Sequence, residues 1–537
     1  MTTDAEKQED RNVPTDEEQS LRAQFFEKVQ EIHELTDADP QQVISESRLL
    51  VESLSDATVR PFVVQELLTA ASATMINAAS RACDQEALSQ AQEWLSVVLA
   101  DERQHPQFVD HASFNLANLL SARAHCELEA AGATVVGLWE HFQDLSVARH
   151  LWRTVATNEA ADQELRSRAA CNLANALDDS GRWAEAYEFY DEALALNPTN
   201  GNAAGNAALL LDRLLSSGWE HAGHLAALRD YYLTWAKELR ENTVRIAGEA
   251  TAAKYDRMPA IDPMGAHTHH AGDTDDPYQQ WIVANRLALS PSVEGLGAHY
   301  THWDSATLAR ATFGPEGVDG PPSIFAMLDA LKAEYIVARR LAFEGEAVLA
   351  AFGGLPSPDD SGVYAMVGEG VMAGEHYGKL VLAQRAALDV LDKLAVSVNH
   401  HLQLGDRPDR IQFRSFWTTK QGALRAGLTP EGGDQRPHLS LAELAEDLQE
   451  DGYYHEAQLL RNAGTHRIVL ATLGREPVPT VKESITKVQV DDLARATVLA
   501  LQVARAAYMY VKALLEAWVP EDGEFLPVFD MPAMPVI

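Results

Sequence analysis

The sequence is short of cysteine, of aromatic residues and of positive charge. Three cysteines in 537 residues, Cys83, Cys126 and Cys171, are too few and too scattered for a disulfide framework or a cysteine zinc cluster, so buried reduced thiols are expected. Aromatic residues make up 7% of the chain against 46% hydrophobic overall, which leaves Ala and Leu to build the cores. Lys and Arg number 43 against 79 Asp and Glu, a formal net charge of −36. That sign is wrong for a protein that coats nucleic acid, because phosphate contacts need cations; a surface for nucleic acid would have to be local. No apolar run approaches the roughly 18 residues that cross a bilayer. The polar, acidic N-terminus also lacks the charged-then-apolar pattern of a signal peptide, so a cytoplasmic protein without a membrane partner is expected. Walker A, GxGxxG after a strand, HExxH and GxSxG are all missing, which leaves most familiar enzyme classes unsupported and calls for no cofactor and no metal.

What is present is helical periodicity. Residues 1–20 are charged and poor in aromatics, which predicts a disordered acidic tail. From 21 to 245 prolines are few and apolar positions recur at helical spacing. The clearest unit is ACNLANALDDSGRWAEAYEFYDEALALNP at 170–198. It places Leu173, Ala174, Gly181, Ala186, Tyr190, Ala193 and Pro198 where a tetratricopeptide hairpin of roughly 34 residues requires them. The alanines let paired helices approach, Tyr190 fills the gap between hairpins, and Pro198 stops the second helix. The pattern returns at Asn206, Ala208 and Leu211, upstream at Asn115 and Ala117, and more loosely over 62–100. One hairpin cannot bury its own apolar face, so the units must stack. The concave side of that stack, with Asn115, Asn172 and Asn206 as candidate contacts, is the expected surface for a protein partner.

Residues 246–277 include KYDRMPAIDPMGAHTHHAGDTDDP and predict a linker. His267, His269 and His270 within it lack a matched fourth ligand, which favours solvated loop histidines over a metal site. Helical segments resume near 278–290, 323–350, 376–404, 440–473 and 488–518, forming a second domain over 278–520. A polar insertion occupies 405–438, and a C-terminal tail runs from 521 to 537. The fold class expected is all-α, a tetratricopeptide-like α-solenoid followed by a helical bundle.

The stretch that can carry chemistry is YYHEAQLLRNAGTHRIVLA at 453–471, with Arg461, Asn462 and His466. An imidazole exchanges protons near neutral pH, a guanidinium pairs with phosphate, and an amide orients the reacting groups. Metal-free cleavage of RNA needs such a set. The spacing alone is common in a chain with 19 histidines. In an ideal helix Asn462 and His466 share a face, whereas Arg461 and His466 lie about 140° apart.

Beyond this motif, the C-terminal half resembles the HEPN superfamily, in the prokaryotic branch fused to N-terminal tetratricopeptide repeats. The resemblance is carried by DPYQQWIVANRLALSP (276–291) and by SIFAMLDALKAEYIVARRLAFEG (323–345), with Lys332, Glu334, Tyr335, Ala338 and Arg339 in matching places. It continues through the helix and Phe/Trp ending at 386–417 and through LARATVLALQVARAAYMYV (493–511). It implies a HEPN-type helical bundle and a metal-independent endoribonuclease, often a toxin or an effector in antiviral defence. It further implies a homodimer whose two motifs line one cleft. Arg461 would stabilise the scissile phosphate, Asn462 position groups and His466 transfer protons, leaving 2′,3′-cyclic phosphate and 5′-hydroxyl ends. The small Gly464-Thr465 pair before His466 departs from the bulkier or acidic residue the pattern leads one to expect.

Six basic residues against four acids between 406 and 436 reverse the overall charge balance. Arg410, Arg414 and Trp417 there, together with Arg467, are candidate RNA contacts, with Trp417 and Phe416 available for base stacking. Asp389 and Lys393 have the spacing of a helix salt bridge, and Asp392 has either a structural or an orienting role. His400 and His401 suit a helix C-terminus. The competing reading is a non-catalytic scaffold in which the hairpins bind a partner and the second domain dimerises.

Overall fold

A computed structural model describes residues 14–56, 59–100, 106–132, 136–217, 219, 222–261, 274–292, 303–308, 323–353, 371–372, 374–450, 452–460, 468–472 and 485–518. The chain divides into two compact units, Met1–Thr274 with Pro291–His299, and Asp275–Ser290 with Tyr300–Ile537.

In the first unit successive helices pair off: α1 (Asp16–His33) with α2 (Pro40–Glu52), α3 (Pro61–Ala82) with α4 (Gln85–Ala100), and α5 (Pro106–Ala131) with α6 (Phe142–Thr157). They are followed by α7 (Gln163–Asp179) with α8 (Trp183–Leu196) and α9 (Gly201–Ser216) with α10 (Ala222–Glu238). The α7–α8 hairpin shows how the sequence builds the unit. Asp162 caps α7 by accepting the Leu165 amide, and Gly181 turns the chain at φ +84°. Ala174, Ala186 and Ala193 are fully buried between the helices. Tyr190 is 1% exposed, and its hydroxyl donates to Asn175 Oδ1 at 2.8 Å, so burial of the ring leaves no orphaned polar group.

Two boundaries differ from the sequence reading. The acidic tail expected over 1–20 gives way to helix at Asp16, where Thr15 and Glu18 form a reciprocal capping box. Glu18 is also buried against Arg60, whose backbone amide donates to Glu18 Oε1 at 3.0 Å and whose guanidinium pairs with the same carboxylate. The linker expected from 246 is helical at its start: α11 (Arg240–Ala247) and α12 (Glu249–Asp256) fold back onto α9 and α10. Tyr255 anchors this return, 1% exposed, with its hydroxyl 2.6 Å from Asn206 Oδ1 and 2.9 Å from Asn202 Oδ1. The ring lies against Gly205, where a Cβ would stand 2.2 Å from Tyr255 Cε2; only glycine leaves room. The Pro- and His-rich remainder, His267, His269 and His270 included, lies outside the described residues.

In the second unit, α13 (Pro277–Ala284) leads to a bundle of α14 (Ser323–Ala351), α15 (Glu375–His401), α16 (Arg436–Asp447) and α17 (Val490–Glu516). α14 packs along α15, α17 packs on both, and α16 packs on α17. By length and mean hydropathy α17 reaches the range of a membrane span, which the sequence reading did not credit; 78% of that window is buried within the protein, as in a core helix.

Polar residues on the bundle hold an irregular segment in place. Arg339, 2% exposed, donates to both carboxylate oxygens of Asp304 (2.7 and 2.6 Å) and to Leu287 O (2.8 Å). Burial opposes its charge, but Asp304 outweighs burial and raises its pKa. Tyr335 donates to Leu287 O at 2.9 Å, and Lys332 to Ala306 O at 3.0 Å. From α17, Arg505 donates to Ala288 O at 2.7 Å and Ser290 O at 3.1 Å. Three of the residues that carried the family resemblance on α14, Lys332, Tyr335 and Arg339, therefore anchor Leu287, Asp304 and Ala306.

A small sheet joins the bundle, a feature the sequence reading lacked. β1 (Val371–Met372) is antiparallel to β2 (Ile468–Thr472), and β2 is parallel to β3 (Ile485–Gln489), which runs directly into α17. The fold class is nevertheless helical, at 76% of the described residues.

Candidate functional site

Arg461, Asn462, His466 and Arg467 lie outside the described residues. Their flanks are described, and these correct the helix expected over 440–473. α16 ends at Asp447, and the chain turns back on itself as Tyr454 N donates to Asp447 O at 2.7 Å and Gln458 donates to Leu448 O. A 3-10 turn follows at His455–Gln458, and strand β2 starts at Ile468. The physical reason is composition: IVLAT and ITKVQ are β-branched and pair with each other in parallel, which outweighs helical spacing. The helix-phase argument for Asn462 and His466 therefore loses its flanking helix.

Both flanks enter one core. Leu460 before the segment and Ala471 after it belong to a cluster with Leu349, Tyr377, Leu380, Val488, Val490 and Leu493. Gln384 on α15 donates to Ala457 O at 3.1 Å and holds the 3-10 turn to the bundle.

The sequence reading missed Glu443 and Asp447, spaced i, i+4 on α16, exposed by only 0% and 1%. The backbone contact between Tyr454 and Asp447 puts this end of α16 beside the turn that leads to 461. Their signal was present in the sequence as carboxylates in phase with the apolar positions of α16. His438 on the same helix contacts Trp417 O at 2.8 Å, and burial lowers its pKa.

The polar insertion is a built structure. Asp392 Oδ1 accepts the Phe413 amide at 2.7 Å, which gives this carboxylate the structural role. Asn399 clasps Asp406 by accepting its amide and donating to its carbonyl, both at 3.1 Å. Lys393 pairs with Glu334 across the helix interface at 2.5 Å, in place of a bridge to Asp389. His400 Nε2 lies 3.0 Å from Ser323 Oγ, and burial lowers the pKa of His401.

Trp417 is fully buried, edge-on to Phe413 and Phe416, so it is not a stacking platform for bases. Two of the basic residues are neutralised within the insertion: Arg407 by Asp409 at 2.7 Å and Arg425 by Asp406 at 2.5 Å. Arg410 is exposed on the Pro408–Arg410 turn, and Arg414 is half-buried. Arg410 and Lys420 meet no carboxylate among the described residues.

In the hairpins, Asn115 is 5% exposed and donates to Thr69 O at 3.1 Å, so it braces two helices and is closed to a partner. Asn172 and Asn206 are half-buried and donate to Asn118 Oδ1 and Asn175 Oδ1 of the preceding hairpins, at 2.9 and 2.8 Å.

Two family models match this chain. One, described as LA2681-like HEPN, matches residues 316–517; the other, tetratricopeptide repeat, matches 167–200. No curated protein and no solved structure matches. The first match encloses α14 to α17, the sheet and the 461–466 motif, while the second coincides with α7 and α8. A HEPN domain suggests a nuclease-type role, and the repeats suggest protein interaction. The chain is a tetratricopeptide-repeat protein carrying an LA2681-like HEPN domain.

Proposed function

We propose that this protein is a metal-independent endoribonuclease controlled by its hairpin stack, acting in the cytoplasm as a defence or toxin effector. What supports the reading is that the sequence RNAGTH (461–466) falls within the range of the HEPN match, and that Leu460 and Ala471 on either side of it in the chain belong to one core cluster. In this mechanism His466 takes the ribose 2′-hydroxyl proton, Arg461 neutralises the crowded phosphate, and Asn462 orients the attacked group. The 2′-oxygen displaces the 5′-oxygen, which leaves protonated, giving 2′,3′-cyclic phosphate and 5′-hydroxyl ends. Two copies face their motifs across one cleft, and a protein trigger on the hairpins aligns them. The test is cleavage of total RNA by the purified chain in EDTA, with end-group analysis, against His466→Ala. Cleavage that survives this substitution overturns the assignment.

The second reading is a non-catalytic scaffold that dimerises through the HEPN bundle. The net charge of −36 and the buried Trp417 favour it. Stoichiometric capture of one partner, unchanged in Arg461→Ala, together with no cleavage under any trigger, supports this alternative.

A further inference from the structure

Two of the three cysteines meet where the second hairpin packs on the third. Cys83 closes α3 at φ +48°, in the left-handed region where helix ends usually carry glycine. Its backbone gives no reason for a cysteine there, so the side chain is what the position uses. Cys83 Sγ lies 3.6 Å from Glu129 Oε2 and 3.8 Å from Ser80 O. Cys126, one turn before Glu129 on the same face of α5, places its Sγ 3.6 Å from that same Ser80 carbonyl. The two thiols thus share one acceptor, and they also interact with each other.

Their surroundings differ in the way a two-step oxidation needs. Cys83 is half-buried and within reach of a small solute, whereas Cys126 is 4% exposed. Burial pushes the Cys126 thiol up to about 12, and Cys83, Glu129 and Glu127 push it the same way. Cys126 is therefore a poor first nucleophile, but it stands beside whatever forms on Cys83. Cys171 makes the contrast. It is 2% exposed, its thiol is likewise pushed up to about 12, and its sulfur meets an amide, Asn202 Nδ2, at 3.5 Å.

We infer that Cys83 and Cys126 are a site of oxidative modification, closed into a disulfide by hydrogen peroxide. The Cys83 sulfur attacks one peroxide oxygen and the O–O bond breaks. The other oxygen leaves as water with the thiol proton, and Cys83 is left as a sulfenic acid. The Cys126 sulfur then attacks the Cys83 sulfur, the S–O bond breaks, and the hydroxyl departs as a second water with the Cys126 proton. Two thiols lose two electrons and the peroxide gains them. Proximity drives the second step, since Cys126 is not activated. In a reducing compartment the bond lasts only while the oxidant does. The crosslink ties α3 to α5 around the whole of α4, so it fastens two neighbouring hairpins. It stands apart from the nuclease reading.

The test is peroxide treatment of the reduced full-length chain at low protein concentration, then thiol titration in denaturant and disulfide mapping by mass spectrometry. Free thiols are expected to fall from three to one, with Cys83 linked to Cys126 and Cys171 left reduced. The thermal midpoint is expected to rise by about 5–10 °C, as closing a loop of this length predicts, and to return with dithiothreitol. Cys126→Ser should stop the reaction at the sulfenic acid on Cys83, trapped by dimedone, with no rise in midpoint. A bond through Cys171, a bond between molecules, or Cys83 carried on to sulfinic acid beside a reduced Cys126 overturns the assignment. So does a parent chain that keeps all three thiols in peroxide, a result that depends on no variant's folding. A Cys83–Cys126 bond that leaves the midpoint unchanged overturns the fastening of the hairpins.

Discussion

The two units satisfy their buried polar groups in opposite ways. In the hairpins the pairing is side chain to side chain and repeats: Asn172 to Asn118, Asn206 to Asn175, with an aromatic donor behind each acceptor. In the bundle the contacts do not repeat: Arg339, Arg505, Lys332 and Tyr335 fasten the carbonyls of one irregular segment, each in its own way. Repetition spreads a fold over many modest and similar contacts. A single fastening concentrates it.

The sharpest way to break the contrast is at the motif itself. His466→Ala is expected to lower RNA cleavage by about 10²- to 10⁴-fold, the contribution of a general acid or base, measured by initial rates in EDTA. Next comes Arg339→Met, which strands Asp304 beside buried carbonyls; a loss of about 3–5 kcal/mol is expected from urea unfolding of the second unit. A loss no larger than that of a single hairpin contact would erase the distinction drawn above. Gly205→Ala should cost the hairpin unit about 1–3 kcal/mol by driving a Cβ into the Tyr255 ring. Combined with Tyr255→Ala it should cost less than the sum of the two, because the clash is then removed. Tyr190→Phe, which deletes one contact of the repeating kind, should cost about 1 kcal/mol.

The smallest effect concerns acid. The hydrogen bond from Arg60 holds the Glu18 carboxyl well below the usual carboxylate range. Its contribution is therefore complete above the unfolded value of about 4.3 and is lost as pH falls from there through the folded value. Glu18→Gln should flatten the acid limb of the stability profile and leave the neutral region with a constant offset.

How much was legible follows from the same contrast. Ala174, Ala186, Tyr190 and Ala193 were readable because each position in a hairpin has one role and the sequence states it more than once. The long helices α14, α15 and α17 were readable from their apolar periodicity. The strand at 468–472 was not, since five residues that read as the end of a helix depend on a partner thirteen residues further along the chain, at 485. Trp417 was read as exposed because its neighbours are polar; its burial comes from Phe413, Phe416 and His438, brought together only by folding. Asn115 was grouped with Asn172 by position, yet its predecessor in the stack offers a backbone carbonyl in place of an amide.

Tyr255 has one more consequence. In a series of like units, the last member presents the surface that each earlier one used to recruit its successor. Left bare, that surface fits a second molecule, and a head-to-tail fit of this kind propagates into filaments instead of closing into a ring. By folding α11 and α12 back and seating one ring against Gly205, the chain supplies its own terminator.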